Sequence, residues 1–144
     1  MVNNATLQFN RSDAFTVSND ISGTGAVTQA GAGITTLSGT NTYTGTTTIS
    51  AGTLRIGSAT ALSSASTVVL AGGTLDLNGF SGTLSNLSGS ANIDLGSGIL
   101  TINQTLAGTY SGQILGTGGT FTRMFRRRYG MTPREARGTS AGTF

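Results

Sequence analysis

The 144-residue chain has no cysteine, histidine, lysine or tryptophan, and a single proline. Each absence removes a class of chemistry. Without Cys or His there is no zinc finger, no thiol nucleophile, no Ser-His-Asp triad and no imidazole metal site. No disulfide can form, so cysteine usage leaves the redox compartment open. Without Lys the Gly116-Thr117-Gly118-Gly119 run cannot be a Walker-type phosphate loop, and it reads as turn glycines. Charge is scarce too, at 9%, and hydrophobic residues reach only 36%, against roughly 25% and 45–50% in ordinary globular chains. Disorder normally accompanies high charge, so this composition argues against it. No apolar run approaches the roughly 18 residues of a membrane span. The stretch Met1–Phe15 lacks the charged-then-apolar pattern of a signal peptide, so export by the usual route needs a signal outside this sequence.

What fills the sequence is Gly, at 23 positions, together with Thr, Ser and Asn. That is the composition of short strands joined by tight turns. The formal net charge of +3 is unevenly spread. Residues 1–122 carry Arg11 and Arg55 against Asp13, Asp20, Asp76 and Asp94, a net −2. Residues 123–144 carry six Arg against Glu135, a net +5. The chain divides into a faintly acidic body, 1–122, and a basic tail, 123–144.

Along the body, apolar residues recur at every second position in short runs. The clearest are Ala5–Phe9, Thr46–Ser50, Thr53–Ile56, Thr67–Leu70, Thr74–Leu77, Ala91–Leu95 and Ile99–Asn103. Period-two alternation puts Leu54 and Ile56 on one face with Arg55 on the other, and likewise Leu75 and Leu77 around Asp76. The fold class is all-β. Leu37, Leu54, Leu75 and Ile93 recur after 17, 21 and 18 positions, and Ile34, Ile49, Val68, Leu84 and Leu100 after 15, 19, 16 and 16. Two such series predict a backbone that coils, stacking like strands in parallel once per turn around a thin aliphatic column with Thr and Ser facing water. A sandwich or barrel is the alternative. The coil is favoured because the hairpin signal Asn-Gly occurs once, at Asn78-Gly79. The run Ile21–Gly25 is echoed 93 residues later by Ile114–Gly118, which suggests a longer repeating unit.

Leu37-Ser38-Gly39-Thr40-Asn41-Thr42-Tyr43-Thr44-Gly45-Thr46-Thr47-Thr48-Ile49-Ser50-Ala51-Gly52-Thr53-Leu54 resembles the autotransporter-associated β-strand repeat. Ala71–Gly79 and Leu87–Ser90 resemble what usually follows it, so the likeness covers about residues 5–122. The resemblance implies a single-stranded right-handed parallel β-helix, or solenoid, from the passenger of a type V secreted protein. It also implies display at the cell surface or outside the cell, and no cofactor.

The tail reads differently. Phe121, Phe125 and Tyr129 fall at i, i+4 and i+8, predicting one apolar helical face among arginines. Gly130 suits a helix end, Thr132-Pro133 with Glu135 suits a new helix start, and Gly138–Phe144 reads as a disordered end. Residues 121–137 are similar to the C-terminal end of AraC-type helix-turn-helix domains. The base-reading half of the recognition helix that precedes this piece in that family is replaced here by β-repeat sequence. Sequence-specific DNA reading is therefore not carried over. Arg123, Arg126, Arg127, Arg128, Arg134 and Arg137 are the candidate contacts for nucleic acid or another anion, by charge alone.

For catalysis the body offers Arg55, Asp76 and Asp94 on one outward face, where adjacent turns align them at the ~5 Å strand spacing. A cross-strand ion pair explains them better than an acid cleft, since enzymes on such folds need several converging carboxylates. Lone Asp residues are too few for the six to eight oxygens of calcium. Asn41, Tyr43 and Thr46–Thr48 suggest either a sugar-binding, adhesive surface or outward corner residues. The expected function is a non-catalytic stalk or adhesive segment. The partners it suggests are a host or matrix ligand, or further copies stacked head to tail into a fibre through open strand edges.

Overall fold

A computed structural model describes residues 1–105, 108–116 and 120–125, the last stretch as backbone only. Among the described residues, fourteen short strands form three parallel sheets. The first stacks β1 (Thr6–Phe9), β3 (Ala26–Gln29), β5 (Thr47–Ile49), β7 (Thr67–Leu70) and β10 (Asn86–Gly89). The second stacks β2 (Ala14–Val17), β4 (Ile34–Leu37), β6 (Thr53–Ile56), β8 (Thr74–Asp76), β11 (Ile93–Asp94) and β13 (Ile114–Leu115). The third joins β9 (Gly82–Leu84), β12 (Ile99–Gln104) and β14 (Thr120–Phe125). Consecutive strands never pair with each other; each pairs with its counterpart one coil away. The molecule is a parallel β-solenoid.

Register explains why so few apolar residues suffice. Leu54, Leu75, Ile93 and Ile114 sit directly over one another, and each is at most 1% exposed. A buried Leu or Ile contributes about 1.5–3 kcal/mol by leaving water, and here each also meets its equivalents on the adjoining coils. The outward residues of β6 and β8 are half-buried, whereas Asp94 of β11 and Leu115 of β13 are exposed.

Counting residues follows this register only in part. Leu54, Leu75 and Ile93 stack as expected, but Leu37 pairs with Ile56, and the residue under Leu54 is Thr35. The second series does not exist as a column. Ile34 is an outward residue of β4, Ile49 and Val68 lie in the first sheet two positions out of register, and Leu84 and Leu100 belong to the third. Coils here take 18 to 21 residues, with the extra ones absorbed at corners. A fixed separation therefore drifts from one face to another. The same drift undoes the 93-residue echo: Ile21 lies beside the Asn41–Tyr43 segment, whereas Ile114 is in the second sheet. Asn78-Gly79 likewise makes a corner between two sheets, not a hairpin.

Through Phe125 the tail also departs from expectation. Phe121 and Phe125, expected on a helix, lie in strand β14, paired with Leu100 and Gln104 of β12. The exposed edge of β12 offers a row of backbone donors and acceptors, whereas a short helix without tertiary support is marginal in water. Pairing thus runs three residues past the expected boundary at 122. Tyr129, the second helix start and the disordered end lie outside the described residues.

One corner shows how little space the stacking leaves. Gly89 has φ of 115°, and a Cβ there would run into the Leu70 carbonyl of the preceding coil. Gly89→Ala is expected to lower unfolding free energy by at least about 1 kcal/mol, and Leu75→Ala by about 2–5 kcal/mol, both read from urea denaturation.

Candidate functional site

The outward row on the second sheet is the ion pair. Arg55 pairs in register with Asp76, and Asp76 with Asp94. Arg55 Nε donates to Asp76 Oδ2 at 2.8 Å, with the two side chains 37% and 16% exposed. Asp76 Oδ1 accepts the Asn78 N–H at 2.8 Å, and Asp94 Oδ1 accepts the Gly96 N–H at 3.0 Å. Each carboxylate therefore spends one oxygen on closing a corner. Such a half-exposed pair is worth about 0–1 kcal/mol. Among the described residues no three Asp, Glu, His or Cys gather as a metal site would require.

Asn41 and Tyr43 turn out to be interior, which corrects both readings of them. Asn41 is 4% exposed and Tyr43 fully buried. Asn41 Oδ1 accepts the Ile21 N–H at 2.8 Å, while its Nδ2 donates to the Ala61 carbonyl at 2.5 Å, so one amide bridges three coils. The Tyr43 hydroxyl lies 2.7 Å from Thr47 Oγ1, which is 2.8 Å from Ser66 Oγ; that hydroxyl donates onward to the Gly45 carbonyl at 2.7 Å. Thr46 and Thr48 do flank this network on the outside, half-buried. Burying a hydroxyl without a partner costs about 1–3 kcal/mol, so the network is satisfied only as a set. Sequence reasoning assigned Thr and Ser to water and missed Thr35, Thr47, Ser63 and Ser66, all at most 1% exposed. A polar residue at an inward position of a period-two run, such as Thr47 two before Ile49, was the available signal.

One depression of about 260 Å³ opens on the third face, lined by Thr40, Thr42, Ala59, Thr60, Ser64 and Thr83 over Leu62. It forms because residues 58–66 make two short turns where later coils place β9 and β12. No charged group lines it, and Thr40 Oγ1 lies 3.1 Å from Thr60 Oγ1 on the next coil. It can offer hydroxyl hydrogen bonds but no acid, base or nucleophile-activating group.

Of the six tail arginines, Arg123 lies on β14, opposite Ile102 in the ladder. Arg126, Arg127, Arg128, Arg134 and Arg137 lie outside the described residues.

With the coil and its interior established, comparison with known proteins becomes decisive. Residues 27–56, running from β3 through β6, match the passenger-associated-transport-repeat. A passenger repeat lies within this sequence. Over 96 residues, 66% of its length, the protein is 48% identical to the adhesin BmaC autotransporter of Brucella suis biovar 1 (strain 1330). The matched stretch is 3% of that adhesin, so the passenger repeat described here spans a small part of its relative. No solved structure matches it. The autotransporter resemblance drawn from residues 37–54 is borne out by both matches.

The interior phenols set a pH limit. Burial pushes the Tyr43 hydroxyl up, against the opposing pull of Thr47 and Ser66, and burial raises Tyr110 to about 12. In the unfolded state both titrate near ~10. Their contribution is therefore complete below pH ~10 and is lost as pH climbs from there toward the folded values. Urea midpoints should hold steady through neutral pH and drop above about pH 10, and Tyr43→Phe should flatten part of that drop while costing about 1 kcal/mol at pH 7.

Proposed function

We propose that this protein is a stiff, non-catalytic segment of a surface-displayed autotransporter passenger, a length of stalk that carries adhesive parts away from the cell. The observation that carries the reading is the in-register stacking of like strands across successive coils, in a protein whose relative is an adhesin autotransporter. Stiffness follows from that geometry: each coil is bonded to the next along two or three ladders, so bending must strain all of them at once. Each added coil extends the axis by about 4.8 Å. The oxygen-rich side groove gives the segment an uncharged surface for a host or matrix ligand, and no feature of it supplies catalysis. The six tail arginines contribute at most a non-specific anion contact.

A second reading, self-stacking into fibres, has its own observation. Phe9 and Val17 on the first described coil are each 9% exposed, whereas their counterparts further along the stack, Leu37, Ile49 and Ile56, are fully covered. Phe15 lies 5.6 Å from Phe9 under the Arg11 guanidinium, and among the described residues the outer edges of β1 and β2 have no neighbouring strand. An uncapped edge of this kind accepts another coil.

Tandem fusions of one to four copies, imaged by electron microscopy, test the stalk. Particle length should grow in proportion to copy number at constant width, and compact particles of unchanged length would overturn the reading. Sedimentation of the single protein at rising concentration tests stacking. Association should occur and be weakened by Leu7→Lys on β1; a monomer at every concentration ends that second reading.

A further inference from the structure

The corner between β8 and β9 combines features that no other asparagine in the described structure shares. The Leu77 carbonyl accepts the Phe80 N–H at 2.8 Å, closing a four-residue turn. Its central residues, Asn78 and Gly79, have φ of 52° and 80°, the positive pair of a type I′ turn. Asn78, Gly79 and Phe80 are all exposed. The other asparagines with structural work to do are tied down: Asn3, Asn41 and Asn86 are buried and bonded, and Asn4 and Asn92 accept backbone N–H groups. No other Asn in the sequence precedes Gly.

The amide of an asparagine can be attacked by the backbone nitrogen of the residue that follows. Glycine is the least obstructive follower, because it has no Cβ and the widest range of backbone angles. We infer that Asn78 is a site of spontaneous, self-catalysed amide loss. Gly79 N forms a bond to Asn78 Cγ, the Asn78 Cγ–Nδ2 bond breaks, and ammonia leaves with the proton that Gly79 N gives up. Water then opens the resulting succinimide at either carbonyl. One opening gives aspartate; the other gives isoaspartate, in which the backbone runs through the former side chain. Water is the co-reactant, and no cofactor takes part.

The change falls at a sensitive place. A new carboxylate appears two residues from Asp76, which already lies in register with Asp94 and has one cationic partner, Arg55. The isoaspartyl form adds a methylene to the backbone where coils are close: a Cβ on Gly96 would come within 3.0 Å of Gly79 N. Amide loss thus adds negative charge to a faintly acidic body and loosens one corner of the stack. This inference is independent of the stalk reading.

The test ages the 144-residue protein in mildly alkaline buffer, native and urea-unfolded in parallel, with Asn78→Gln as a control. Peptide mass mapping and labelling by an isoaspartyl methyltransferase report the products. In the native protein, aspartate and isoaspartate should accumulate at residue 78 several-fold faster than at any other asparagine, with isoaspartate in excess, and the Gln variant should take up little label. The inference is overturned if position 78 stays intact in the native protein, whether or not the unfolded form reacts. Conversion spread evenly over other asparagines overturns it equally.

Discussion

The parallel backbone ladder between equivalent positions of neighbouring coils governs everything else in this molecule. Because strands pair with their counterparts about one coil away, each inward side chain is forced onto its equivalents above and below. A column one residue wide then buries Leu54, Leu75, Ile93 and Ile114, although the sequence is only 36% hydrophobic. The same constraint makes polar inward residues tolerable, provided that the adjoining coil supplies the partner. Asn41 joining Ile21 to Ala61, and Thr47 joining Tyr43 to Ser66, are that condition met.

Much of the fold was legible because period-two alternation is a local signal. All seven of the runs identified from alternation coincide with a strand, β12 running one residue past its run, and Leu54, Leu75 and Ile93 stack as their spacing implied. Strands such as Gly82–Leu84 and Asn86–Gly89 were not legible, since Gly, Ser and Asn carry no strand preference of their own. They are extended because a neighbouring coil presents edges to pair with. Register beyond a single coil was lost for a related reason. One or two residues added at a corner shift every later count, so Ile34 and Ile49, 15 apart, fall on different sheets and opposite sides of the backbone.

Less of the candidate site could be read. The alignment of Arg55 with Asp76 followed from the spacing, and the structure makes it an ion pair whose acid is also a turn acceptor. Asn41 and Tyr43 were misplaced because their polarity argued for solvent while their position in the repeat put them inside. The hydroxyl-lined depression could not have been foreseen, as it arises from a missing strand in the 58–66 segment, visible only against the later coils.

The third sheet begins only at β9, so the cross-section changes part-way along the axis. Every coil needs just one finished neighbour as a template, and no contact has to wait for the far end of the sequence. Assembly of such an object resembles crystal growth on a seed face more than the collapse of a globule. The two turns of 58–66 stand where later coils carry β9 and β12, so the stack accepts layers of different outline, and whole layers can be inserted or removed more safely than a single residue within one.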